Sequence, residues 1–186
     1  MSIADDLRLL FIRWSELART NTHGGDEDLA RSLRLFAGES DQAAAQTLGM
    51  RQRNWLNNVT ALHAFVRDRG RWPHRIWRQG ASGADATEEH LVNWLREQRR
   101  HHGSLSAYQR ERLEAIPGFE WSPREEAWDR QIDGYQAFVI EHARRPRGSS
   151  LDRTERQLAV WSSNQRMAQR KGRLPKHRED ELNKLQ

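Results

Sequence analysis

Arginine dominates the side chains of this chain that could do chemistry, and it recurs in matching places. Arg71, Arg75 and Arg78, interleaved with Trp77, are matched by Arg144, Arg145 and Arg147; Arg96, Arg99 and Arg100 are matched by Arg166, Arg170 and Lys171; Arg110 and Arg112 lie opposite Lys176, Arg178 and Lys184. A guanidinium stays charged and presents a fork of donors that fits phosphate, so arginines held clear of a core imply neutralisation of a polyanion, with nucleic acid the usual one. Trp77 among arginines has the makings of a side chain that stacks on bases or wedges into a groove. The plainer reading of each cation is a solvated side chain or a local ion pair, for example Arg96 or Arg100 with a nearby glutamate, and of Trp72 a loop residue packed onto the helices.

Other chemistries find little support. Glu88-Glu89, Glu125-Glu126 and Glu179-Asp180-Glu181 cluster near expected helix starts, where carboxylates favour the helix dipole. His101-His102 is adjacent rather than at i, i+4, so it is a poor pair of metal ligands on a helix. With no cysteine there is no disulfide, no thiolate zinc site and no thiol nucleophile. Gly80-Ala81-Ser82-Gly83 lacks the lysine that a phosphate loop needs. The expectation is a non-enzyme with no catalytic residues, no metal and no cofactor.

The positive charge is unevenly placed. Residues 1–50 carry 5 basic and 8 acidic side chains, whereas residues 51–186 carry 26 and 18. The field therefore belongs to the last three quarters of the chain. No apolar stretch approaches the roughly 18–20 residues needed to cross a bilayer, and the chain opens Met1-Ser2-Ile3-Ala4-Asp5-Asp6 rather than with a basic and then an apolar region, which points to the cytoplasm and away from membranes.

The elements that position the arginines are written twice. Trp55-x3-Val59-x2-Leu62-x2-Phe65-Val66 returns 73 residues later as Trp128-x3-Ile132-x2-Tyr135-x2-Phe138-Val139. This spacing keeps the apolar residues on one stripe of a helix. Ser122, Pro123 and Glu125 sign the start of the second such helix. Arg69-Gly70-Arg71-Trp72-Pro73 and Ala143-Arg144-Arg145-Pro146 then break it, because proline fixes φ and removes an amide. A second helix reads Leu91-x2-Trp94-x3-Gln98-Arg99 and Leu158-x2-Trp161-x3-Gln165-Arg166, an offset of 67, so the intervening loop is shorter in the second copy. A glycine turn at Gly103 and Gly172 leads to a short third helix carrying Leu113 and Ile116 against Leu182 and Leu185. Ser106 and Gln109 form a capping box, and Pro117-Gly118 ends the helix. Trp55, Trp94, Trp128 and Trp161 read as core anchors.

Residues 1–50 suggest one amphipathic helix over Ile3, Leu7, Leu10, Phe11 and Trp14, and a second over Leu29 to Phe36. They align at an offset of 80 with part of the first copy, so a decayed partial repeat and chance similarity both stand. Ala45-x3-Gly49-x5-Trp55 has helix-turn-helix spacing, which would put Arg51, Gln52, Arg53 and Asn54 at the start of a recognition helix; the rival reading is a glycine that merely separates two helices.

The repeated pattern resembles the helicase-associated domain, found in tandem in bacterial helicases and related proteins. The residues that carry the likeness are Trp55, Val59, Leu62 and Phe65, the Gly70-Arg71-Trp72-Pro73 turn, Leu91, Trp94, Gln98 and Arg99, Gly103-Ser104-Leu105, and Leu113-x2-Ile116-Pro117-Gly118-Phe119-Glu120-Trp121. The second copy departs from it with Ala143 in place of Gly70 and with its shorter loop. The resemblance implies three-helix modules that bind nucleic acid, here without the helicase motor.

The expectation is thus an all-α protein: a helical N-terminal extension over 1–50, one module over 51–121 and another over 122–186. Its expected function is DNA binding, double-stranded DNA favoured, by two linked basic modules that grip the phosphate backbone, with sequence preference open. The rival functions are an adaptor for a helicase, recombinase or replication complex, and an RNA or single-strand binder.

Overall fold

The computed structural model describes residues 3–20, 26–75 and 83–185, and among these the regular structure is helical throughout. The helices are α1 (Ile3–Thr20), α2 (Glu27–Ser40), α3 (Gln42–Thr47), α4 (Met50–Arg69), α5 (Gly83–Arg100), α6 (Ala107–Glu114), α7 (Pro123–His142), α8 (Arg153–Arg170) and α9 (Lys176–Lys184). A 3-10 turn, His102–Ser104, joins α5 to α6. No helix among the described residues is long and apolar enough to cross a membrane. The chain divides into two compact units, Met1–Trp121 and Ser122–Gln186.

Residues 1–50 form no body of their own; they share the core of the first unit. Trp14 on α1 and Leu35 and Phe36 on α2 are buried with Leu56, Val59 and Leu62 of α4 and with Tyr108 and Leu113 of α6. Each such burial contributes roughly 1.5–3 kcal/mol. The Ala45/Gly49 spacing marks the bend between α3 and α4, where Leu48 packs so tightly on Gly38 that a Cβ there would collide with it. Gln52 turns back to accept the Gly49 N–H, leaving Arg51, Arg53 and Asn54 exposed on the first turn of α4.

One polar network ties α2, α4 and α6 together. Arg112, only 3% exposed at its side chain, donates from Nε to Glu39 at 2.8 Å. Tyr108 Oη donates to the other Glu39 oxygen at 2.6 Å, and Arg112 Nη1 donates to His63 Nδ1 at 3.2 Å. Burial and the Arg112 charge push the His63 pKa below its ordinary value, and burial beside Glu39 pushes Tyr108 up. Arg112 is therefore a core residue, and the cationic surface expected on the third helix loses it.

The second unit repeats the plan of the first with a smaller core: Trp128, Ile132, Leu174 and Leu182 form one cluster, and Tyr135, Phe138 and Leu158 another. Trp128 and Trp161 meet at 5.3 Å between ring centroids, as Trp55 and Trp94 meet at 6.1 Å. The four tryptophans expected as anchors divide into two buried (Trp55, Trp128) and two half-buried (Trp94, Trp161). The start of α7 differs in detail from the expected capping box. Ser122 makes no side-chain cap bond, and its N–H instead donates to Glu126, while Glu125 turns to Arg178. The box at Ser106 and Gln109 forms as expected.

Both first helices end in a left-handed residue, Gly70 at φ 62 and Ala143 at φ 50. Left-handed backbone crowds a Cβ against the following carbonyl and costs about 1–2 kcal/mol outside glycine. Nothing lies within 4 Å of a Cβ built on Gly70, so the backbone alone sets the cost there. Ala143→Gly should therefore stabilise the second unit by about 1 kcal/mol, and Gly70→Ala should destabilise the first by a similar amount. Urea titrations of both variants check this; a loss of stability in Ala143→Gly would contradict it.

Candidate nucleic-acid interface

The arginine after each first helix has an inward task. Arg71 reaches the carboxylate of Glu88 on α5 with both Nη atoms, at 2.5 and 2.9 Å, and Glu88 also accepts the His74 N–H at 3.0 Å. Arg144 engages Glu155 on α8 in the same forked way, and Glu155 accepts the Arg147 N–H at 2.8 Å. Each guanidinium also covers an aromatic ring of its own copy, Arg71 over Phe65 at 5.1 Å and Arg144 over Phe138 at 5.0 Å. The glutamate side chains are only 7% and 6% exposed. The arginine's hydrogen bonds hold both carboxyls at about 2, well below the ordinary value. Arg71 and Arg144 are thus clamps that fasten the loop to the second helix, each with its guanidinium engaged by a carboxylate of its own copy.

Several other expected contacts are also engaged within the fold. Arg99 donates from Nε to the Glu120 carbonyl at 2.8 Å and lies 5.6 Å over Phe119, so it closes the segment after α6. Arg110 bonds the Leu105 carbonyl and sits 4.0 Å from Asp28. Arg75 pairs with Glu89 at 3.5 Å, Arg100 with Glu97 at 3.4 Å, and Lys176 with Asp180 at 3.1 Å. Arg96 bonds Asn93 at 3.0 Å. Trp72 packs against Phe119 at 6.0 Å, in keeping with its plainer reading. Trp77 and Arg78 lie outside the described residues. Arg166 occupies the position of Arg99 without its partner: its Nε and Nη2 are buried with no hydrogen bond. Arg145, Arg147, Arg170 and Lys171 stand exposed.

Among the described residues, four arginines of the second unit line one groove. Arg144 meets Glu155, Leu158 approaches Gly134 and Trp128 meets Trp161, so α7 and α8 run antiparallel. An open groove of about 930 Å³ runs along them. Its walls carry Arg124, Arg153, Arg156 and Arg178, the amides of Gln131, Gln157, Asn164 and Gln165, and the indoles of Trp128 and Trp161, with no carboxylate among the lining residues. Arg178 was expected at the interface; Arg124, Arg153 and Arg156 were not. Arg156 Nη1 holds the Ser150 and Leu151 carbonyls at 2.7 Å, which fixes the guanidinium without cancelling its charge. Arg178 lies 4.7 Å over the Trp128 ring and pairs with the exposed Glu125 at 2.9 Å. Among the described residues no hydrogen bond or ion pair engages the guanidinium of Arg124 or Arg153. An arginine- and amide-lined groove with an aromatic floor suits a phosphate-bearing strand.

Among the described residues, these features make up an all-helical chain with an arginine-lined groove in its second unit. Residues 52–122 match the family model described as Helicase associated domain, so the first copy is matched along its whole length. No curated protein and no solved structure matches the chain.

The clamp predicts a pH dependence. Because the folded Glu88 carboxyl titrates at about 2 against an ordinary 4.5, its contribution is fully present above pH 4.5 and is lost as pH falls toward 2. Urea midpoints followed by tryptophan fluorescence should fall through that window for the native chain. They should start lower and fall less steeply for Glu88→Gln. Identical acid profiles for the two proteins would contradict the clamp.

Proposed function

We propose that this chain is a non-enzymatic nucleic-acid-binding protein that holds the phosphate backbone of DNA, duplex DNA first, with arginines left over after the fold's internal pairs are made. The observation that carries this reading is the groove of the second unit, where four arginines line a surface free of carboxylate. The family match of residues 52–122 supports a role alongside nucleic-acid enzymes. Binding of this kind works by releasing condensed counterions, and it reads charge and spacing rather than sequence. The four amides in the groove can add hydrogen bonds to base edges or sugars.

The number of groove cations not paired with a carboxylate sets the salt response of binding there. Arg178 shares its charge with Glu125, which leaves Arg124, Arg153 and Arg156 as full contributors. With about three phosphates neutralised, duplex affinity should fall about 40-fold from ~50 to ~200 mM salt. Fluorescence polarisation of a labelled duplex across that series measures the slope. A flat response, or no retention of any nucleic acid at the low end, would remove DNA binding and favour an adaptor role.

A further inference from the structure

By sequence offset, the two copies carry different charges at the positions that line the groove of the second. Through the offsets that align the two cores, Arg124, Arg153, Arg156 and Arg178 correspond to Arg51, Ala86, Glu89 and Gln109, and Asn164 corresponds to Glu97. Where the second copy has four arginines and no carboxylate, the first has one arginine and two glutamates. Those glutamates are held inside their own copy, Glu89 by Arg75 and Glu97 by Arg100. On the first face each glutamate and its arginine partner offset one another, so less net positive charge is left there for a phosphate strand.

The arginines of the second copy are also spread in a telling way. Arg153 and Arg156 sit at the start of α8, whereas Arg124 and Arg178 sit together at the other end, joined by the Arg178 Nη2 bond to the Arg124 carbonyl at 3.2 Å. From Arg153 to Asn164 the helix rises about 16 Å. One DNA strand places about five phosphates along that length. Charge at both ends fits an extended strand better than a small anion, which would need cations converging on one point. Between the two ends lie Gln131, Gln157 and the half-buried Trp161.

We infer that strand binding is confined to the second copy, in the groove between α7 and α8, with Arg124 and Arg153 as its deciding cations, while the family-matched first copy is a scaffold. This rests on the nucleic-acid reading above. The test uses the full chain and a short labelled oligonucleotide, offered both as single strand and as duplex, at low salt. Arg124→Glu with Arg153→Glu should weaken binding of the retained form about tenfold or more. The matched pair Arg51→Glu with Arg53→Glu changes the net charge equally, at exposed positions of the first copy, and should leave affinity close to that of the native chain. Among the described residues, none of these four side chains makes a hydrogen bond or ion pair, and circular dichroism verifies that both variants remain helical. Equal loss in the two variants, or loss only with the Arg51 and Arg53 pair, overturns confinement to the second copy while leaving nucleic-acid binding intact. Failure of the native chain to bind either form overturns both.

Discussion

A carboxylate withdrawn from water at the start of each second helix is the constraint that shapes both copies. Glu88 and Glu155 are almost fully covered, and a buried carboxylate is tolerated only when it is paired and hydrogen-bonded. The fold answers with the forked guanidinium of Arg71 or Arg144 and one backbone N–H from the loop. This fixes where the chain goes after the first helix ends, whatever the length of the loop that follows. The left-handed residue just before the arginine turns the chain toward the carboxylate, which is why Ala143 accepts a conformation better suited to glycine.

The same pairing sorts the charges. A chain rich in arginine looks uniformly basic along its length, yet the fold withdraws many guanidiniums to hold loops, close segments and neutralise buried acids. Arg71, Arg99, Arg112 and Arg144 serve the architecture. What remains outward differs between the copies: Glu89 and Glu97 of α5 stand where the second copy has Arg156 and Asn164.

The helical plan was legible because apolar periodicity, cap residues and the 73-residue echo all point to the same elements. The placement of residues 1–50 was less so: an amphipathic stripe shows that a helix has an inner face but not which neighbour covers it. The internal partners of the loop arginines were hidden for a related reason. A guanidinium that fits phosphate fits a carboxylate equally well, and Glu88 and Glu155 look like ordinary dipole-stabilising residues until their burial is seen. Arg153 and Arg156 carry no signal from the repeat, because Ala86 and Glu89 stand at the aligned positions of the first copy. The useful signal was the reverse, positions such as Glu89 and Arg156 where the copies disagree in sign.

The Arg112–Glu39 pair carries a lesson about boundaries. The family match begins at residue 52, but the partner of its most deeply set cation belongs to α2, together with the Ser32 hydroxyl that receives the Tyr108 N–H at 3.2 Å. A fragment trimmed to 52–122 would take Glu39 from Arg112 and Tyr108 and would open to water the apolar faces that Trp14, Leu35 and Phe36 cover. The family match draws the edge of this module at the start of α4; the compact unit that holds it reaches some fifty residues further back, to α1.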